Sequence, residues 1–418
     1  MSRIQLLDNA TIDKIAAGEV VERPSSVVKE LVENAIDAGA TAVTIEIKDG
    51  GISFIRVTDN GNGIPSDQVK EAFLRHATSK IRSSEDLNNI HSLGFRGEAL
   101  SSISAVAQVE MMTKTKDALM GVHYAIEGGR ETDFSQVGVP EGTTILVKNL
   151  FFNTPARRKF LKTATTEGGY IADLCEHLAM SKPQVAFRFI SNNQVKFHTS
   201  GNGDVREIIY RIFGKDFIKE IIPIDCRDSD IHMYGYLGKP SLNRSNRNFE
   251  NCFMNGRYVK SNFLSKAIED GYRAYLMQHK FPFVVLYFDI DTDKVDVNVH
   301  PNKLECRFQN DAVIAEAIEA IISEAFAERN PLDLPQILQL TPTEPANVTP
   351  VSVKKQEPAV DSAKTVPPVA KAENVQLEKK VIPAAKVSSH LAIEQAEEKT
   401  ALPVRKVVES SVSSLPAT

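Results

Sequence analysis

The stretch Pro24-Ser25-Ser26-Val27-Val28-Lys29-Glu30-Leu31-Val32-Glu33-Asn34-Ala35-Ile36-Asp37-Ala38-Gly39 constrains this chain more than any other. Proline at its start carries no N–H to lose, and glycine just past its end tolerates the reversed backbone that stops a helix. Val28, Leu31, Val32, Ala35 and Ile36 recur at helical spacing and form one apolar stripe. Glu30, Asn34 and Asp37 fall at i, i+4 and i+7, a second line along the same cylinder. A carboxylate, an amide and a carboxylate in line have the chemistry to hold a hydrated Mg²⁺ and polarise a water. Taken alone, the same line also suits a solvated polar face. Glu33 turns about 100° away from Asn34 and is expected to make surface contacts only.

Residues C-terminal to the helix narrow the choice. Val43, Ile45 and Ile47 alternate as a strand, Asp49-Gly50-Gly51 turns, and Phe54, Ile55 and Val57 lie in the returning strand. The return ends in Asp59-Asn60-Gly61-Asn62-Gly63-Ile64-Pro65. Two Asn-Gly pairs are ordinary turn chemistry. An acceptor followed by two glycines also suits a purine, because the carboxylate accepts from the ring's amino group while the glycines let backbone approach it. Further on, His76-Ala77-Thr78-Ser79-Lys80 precedes Ser92-Leu93-Gly94-Phe95-Arg96-Gly97-Glu98-Ala99-Leu100. Glycines ahead of a helical run offer backbone N–H groups and the positive end of a helix dipole to phosphates, with Lys80 and Arg96 adding charge. A helix cap within a mobile loop is the other reading of that stretch. No G-x-x-x-x-G-K-[ST] occurs, so a Walker-type loop is excluded.

A second pattern begins near Val205, with a strand through Phe283–Phe288 and a helix through Ile314–Ala327. It contains Asn255-Gly256-Arg257-Tyr258-Val259-Lys260 and a run from Val295 through His300 and Pro301 to Lys303. His300 reads as a turn residue, since no His or Cys stands at metal-ligand spacing from it. From Pro331 to Thr418 the composition changes: 11 of the 20 prolines and no glycine, aromatic residue or methionine. Such a segment buries too little apolar area to offset its ordering entropy, so 331–418 is expected to be a disordered tether. The four scattered cysteines form no C-x-x-C pair, which argues against a zinc site or disulfide framework. No apolar run approaches membrane-spanning length, and a soluble, cytoplasmic protein is expected. A net charge of −5 confines any nucleic-acid contact to a local patch. Arg157-Arg158-Lys159, Lys162, Arg244, Arg247, Arg257 and Lys260 are the candidates, against a default of scattered solvated charge.

The order of these motifs carries a resemblance. Glu30-x-x-x-Asn34-x-x-Asp37, Asp59-x-Gly61-x-Gly63, the glycine-bearing stretch and Gly142-Thr143-Thr144 together resemble the Bergerat-type (GHKL) ATPase superfamily of gyrase B, Hsp90 and histidine kinases. Within it, Gly18-Glu19-Val20-Val21-Glu22-Arg23-Pro24, Gly94–Leu100 and Asn153-Thr154-Pro155-Ala156-Arg157-Arg158-Lys159-Phe160 resemble the MutL family of DNA mismatch repair proteins.

The resemblance implies an α+β chain. A Bergerat-fold ATPase domain, an α/β sandwich, would occupy 1–204, and a smaller, ribosomal-protein-like α+β domain 205–330. It implies that Glu30 is the general base, that Asn34 holds Mg²⁺, and that Lys303 reaches the γ-phosphate from the second domain. Asn34, Asp37, Asp59, Gly61, Gly63, Thr78, Ser79, Lys80, Gly94, Phe95, Arg96, Gly97 and Thr143 would bind ATP, with Asp59 reading adenine and the 78–80 and 94–97 stretches covering the phosphates. Arg157, Arg158, Lys159, Arg257 and Lys260 would contact DNA weakly and without sequence preference. The implied partners are a MutS-family mismatch sensor and a second copy of the chain, joined through ATP. Family members continue past such a tether into a dimerisation domain that often carries an endonuclease metal site, and no such motif stands in 331–418. The alternatives are another ATPase of the superfamily, which leaves the 153–160 motif unexplained, and a scaffold that binds nucleotide without hydrolysing it.

Overall fold

A computed structural model describes residues 7–80, 94, 97–227, 231–291, 295–296, 307–308 and 310–327. The tether expected over 331–418 lies outside them.

Two helices open the described chain, α1 (Asn9–Val20) and α2 (Pro24–Asp37). The stripe anticipated on α2 is buried at Val28, Leu31, Val32 and Ala35, with Val27 added and Ile36 partly covered. Eight strands form one sheet: β1 (Ala42–Lys48), β2 (Phe54–Asp59), β3 (Gln108–Lys114), β4 (Gly121–Glu127), β5 (Arg130–Val137), β6 (Gly142–Lys148), β7 (Ala186–Ser191) and β8 (Gln194–His198). Their spatial order is β5-β4-β3-β6-β2-β1-β7-β8, antiparallel except where β1 lies parallel to β7. The first hairpin turns at Asp49–Gly51, where Gly50 and Gly51 both take positive φ. Helices α2, α3 (Ala99–Val106) and α5 (Ala164–Ser181) pack on the sheet, and the short α4 (Pro155–Phe160) precedes α5. The alternation of burial along β3, and along β6 from Thr143 onward, is that of a sheet covered on one face.

A second sheet forms after α6 (Val205–Phe213) and α7 (Lys215–Lys219). Its strands β9 (Ile221–Arg227), β10 (His232–Gly238), β11 (Glu250–Met254), β12 (Arg257–Val259) and β13 (Val284–Asp289) run in the order β12-β11-β13-β10-β9. Helices α8 (Asn262–Tyr272) and α9 (Asp311–Ala327) cover one face, approaching closely at Gly271, where a Cβ would stand 2.9 Å from Ile322 Cβ. The strand read through Phe283–Phe288 alternates between two cores rather than between core and solvent. Val284, Leu286 and Phe288 join the α8–α9 side, while Phe283, Val285 and Tyr287 join the apolar cluster that continues under the first sheet. The architecture is α+β, as expected.

Candidate active site

Strand register builds the first half of the site. Antiparallel pairing of β2 with β6 sets Asp59 opposite Thr143, and pairing of β3 with β6 sets Thr113 opposite the same residue. Asp59 Oδ1 accepts from Gly61 N at 2.9 Å and from Thr143 N at 3.3 Å. Thr113 Oγ1 bonds Thr143 Oγ1 at 3.0 Å and accepts from Ile64 N at 2.9 Å, tying the glycine loop to the sheet. Burial raises the Asp59 carboxyl above its ordinary range, opposed by the two backbone amides. Gly63 has φ +69, and a Cβ there would lie 2.2 Å from Lys114 O, so only glycine lets the loop pass. Thr113 was not among the residues expected from sequence. Its signal is a hydroxyl at the third inward position of Val109, Met111, Thr113, where an apolar residue is due.

The loop also docks on the end of α2. Asn62 N donates to Ala38 O at 3.0 Å, and Gly61 passes so close that a Cβ would sit 2.9 Å from the same oxygen. The polar line of α2 therefore ends beside the Asp59 corner. Asp37 is the last helical residue, where the negative end of the helix dipole disfavours a carboxylate. A cation compensates: Lys80 Nζ donates to Asp37 Oδ2 at 2.5 Å and to Asn34 Oδ1 at 3.0 Å. Gly94 N adds a bond to Asp37 Oδ2 at 3.2 Å. The side chains of Lys80 and Asp37 are only 22% and 10% exposed, so this pair is largely withdrawn from solvent. Lys80, read from sequence as a charge for phosphates, bonds these two helix residues here.

Gly97 stands against the same stretch. At φ +63 its Cβ would lie 2.4 Å from Ala77 O, which seats the start of α3 beside residues 77–80. Thr78 Oγ1 accepts from Lys80 N at 3.2 Å, and Ser79 is exposed. Glu98 caps α3 without a side-chain bond to the first turn. Phe95, Arg96 and Lys303 lie outside the described residues.

Two expectations are corrected. Glu33 does not make surface contacts alone: its side chain is 13% exposed and pairs with the Lys29 ammonium at 3.3 Å. Arg157 is not an open surface cation. Its guanidinium lies against Gly18, where a Cβ would meet Nη2 at 2.0 Å, and donates to Ile15 O at 3.3 Å. The guanidinium thus rests on the flank of α1, at a carbonyl inside the helix rather than at its end. Arg75 holds the same helix through Ile12 O at 3.1 Å and Asp13 at 2.9 Å. Elsewhere in the basic set, Arg247 forks onto Glu269 and Arg244 lies over the rings of Phe217 and Phe249. Arg158, Lys159, Lys162 and Lys260 are exposed, and Arg257 is half-buried.

Two family models match this chain. "Histidine kinase-, DNA gyrase B-, and HSP90-like ATPase" covers residues 22–138, which hold α2, the Asp59 loop and the start of α3. "DNA mismatch repair protein, C-terminal domain" covers residues 209–327, the second sheet with its helices. The DNA mismatch repair protein MutL of Agathobacter rectalis is 62% identical over 310 residues, 74% of this chain and 48% of that protein. The chain spans about half the length of the curated relatives it matches. Among solved structures, the N-terminal domain of a DNA repair protein superposes with a TM-score of 0.65 at 26% identity, covering 76% of this chain and 98% of that one. The Aquifex aeolicus MutL ATPase domain, complexed with ADP, does so with a TM-score of 0.52 at 25% identity, covering 73% and 98%. Both halves of the described fold thus match mismatch repair proteins, and the chain belongs to the MutL family, carrying its N-terminal GHKL ATPase region.

Proposed function

We propose that this chain binds ATP at the α2–Asp59 corner and hydrolyses it, as an ATP-dependent switch in DNA mismatch repair. The observation that supports this most is convergence on the end of α2. The Asp59–Gly63 loop, Lys80 and the Gly94 amide arrive from three parts of the chain around Asn34 and Asp37. Asp59 accepts the adenine amino group, through Oδ2 because Oδ1 already holds the Gly61 and Thr143 amides. Gly61, Gly63 and Thr143 shape that side. Thr78, Ser79, Lys80, Gly94, Phe95, Arg96 and Gly97 take the phosphates, with Lys303 at the γ-phosphate.

The Mg²⁺ fit rests on Asn34. Its Oδ1 is aimed at the Lys80 ammonium, a position that tolerates positive charge, so Asn34 would hold the ion. When bound, Mg²⁺ neutralises charge on the phosphates. Glu30, one turn earlier on the same face, orients a water and accepts its proton as the water's oxygen bonds to the γ-phosphorus. The bond to the β,γ-bridging oxygen breaks, leaving ADP and phosphate. The test is Glu30→Ala, which should keep ATP affinity and stop phosphate release, while Asn34→Ala should weaken Mg·ATP binding itself. Wild-type turnover in Glu30→Ala sinks the assignment. A chain that binds ATP yet releases no phosphate is a scaffold instead.

In the same reading, 1–204 is the ATPase domain, 205–330 the second domain and 331–418 a tether. Arg158, Lys159, Arg257 and Lys260 contact DNA phosphates, and ATP brings two copies together for work with a MutS-family sensor. The proposed compartment is the cytoplasm. Among the described residues no helix is long and apolar enough to cross a membrane.

A further inference from the structure

Lys29 precedes Glu30 on α2, and consecutive helical residues point about 100° apart, so the two do not face each other by default. The long stem of Lys29 nevertheless carries its ammonium to 3.5 Å from Glu30 Oε1 and 3.3 Å from the Glu33 carboxylate. Glu33 lies one turn on at i+4, the spacing at which a helical ion pair closes without strain. It is also the best covered of the three side chains, so it forms the fixed end of the bridge. Burial works against the lysine's charge, but Glu33 and then Glu30 outweigh it and hold the ammonium above the ordinary lysine range. The group thus stays a cation beside Glu30.

We propose that Lys29 is a positioning residue for Glu30: anchored on Glu33, its ammonium holds Oε1 and leaves Oε2 turned to the water. A carboxylate free to rotate about its last torsions would present either oxygen in many directions. Fixing one of them removes that freedom before the reaction begins, which is where positioning contributes to rate. This rests on the reading of Glu30 as the residue that orients the attacking water.

The experiment compares Lys29→Met, Lys29→Arg, Glu30→Gln and the double variant Lys29→Met/Glu30→Gln in single-turnover phosphate release, with ATP KM and ADP affinity measured alongside. Lys29→Met should lower the rate constant about 5–30-fold with KM and ADP affinity within twofold, since an interaction that serves only the reacting geometry splits that way. Lys29→Arg should recover most of the loss, because a guanidinium can span the same two carboxylates. The double variant should be no slower than Glu30→Gln alone, as two residues acting as a unit do not add. Far-ultraviolet circular dichroism reports folding separately, and the Lys29→Arg and double-variant arms decide the matter if Lys29→Met does not fold. The proposal is overturned by a wild-type rate in Lys29→Met, by an arginine as slow as methionine, by a loss shared equally with ADP binding, or by additive effects in the double variant. A wild-type rate in Glu30→Gln would instead remove the Glu30 reading, and the positioning role with it.

Discussion

Lys80→Met offers the most direct measure of what holds the end of α2 together. The substitution keeps most of the stem and removes an ammonium that bonds Asp37 at 2.5 Å and Asn34 at 3.0 Å. Asp37 is then left at the negative end of the α2 dipole, 10% exposed, without this cation. Hydrogen bonds to charged groups contribute about 1.5–3 kcal/mol, and breaking a fully buried pair costs about 3–5 kcal/mol. Lys80 keeps 22% of its side chain in water, which places the expected loss near the lower range, about 2–3 kcal/mol. For a cooperative fold of this size that is roughly 3–5 °C in Tm. Urea and thermal unfolding followed by circular dichroism, without nucleotide, measure it. Asp37→Asn in the same assay closes a double-mutant cycle, and the coupling should be at least about 1 kcal/mol. A Lys80→Met variant within about 0.5 kcal/mol of wild type, or losses that simply add, refutes the reasoning.

Asp59 titrates above the usual carboxylate range because it is buried, so nucleotide binding that needs its ionised form should weaken as pH falls through that raised value, sooner than for an ordinary aspartate. Calorimetric ADP titrations from neutral pH downward check this, and a flat profile contradicts it. Lys303→Ala should lower hydrolysis about 10–1000-fold, the range for losing one preorganised electrostatic partner, with ADP affinity unchanged. Equal loss of ADP and ATP binding speaks against it. Arg158→Glu with Lys159→Glu should weaken DNA binding and flatten its salt dependence, measured by fluorescence anisotropy, whereas binding indifferent to salt removes the phosphate patch. Glu250 is buried at the start of β11, and burial pushes its carboxyl up to about 7. An acid raised on folding is stabilising to keep protonated, so stability is lost as pH rises from the unfolded value through about 7. Glu250→Gln should therefore gain about 1–3 kcal/mol in alkaline buffer and little in acid, read from urea midpoints at both ends.

The parts of the site legible in sequence are those set by local rules. Proline and glycine bracket α2 as written, and its apolar spacing matches the buried face. The Asp59–Gly63 loop announced itself through glycines whose φ and close approaches no other residue allows. What stayed hidden depends on register and on distant pieces meeting. Nothing near Thr113 or Thr143 states that β3 and β6 will pair there, and the polar contact arises only from that pairing. Arg157 looked like a surface charge because three basic residues stand together. Which of them turns inward is decided by α1, far away in the chain. In β13 the period of two was visible, but a second apolar partner for the other face belongs to the assembled fold.

That double-faced strand has a consequence for how the protein comes apart. Phe283, Val285 and Tyr287 belong to the same apolar cluster as the core under the first sheet, and the Tyr287 hydroxyl donates to Met180 O at 2.7 Å across the seam. Melting either sheet alone would bare those rings and strand that buried hydroxyl, a cost neither half recovers without the other. The two sheets should therefore melt as one cooperative unit, in a single calorimetric transition whose enthalpy matches both together. A protease cut between them would likewise not release two soluble halves but a pair that remains clasped.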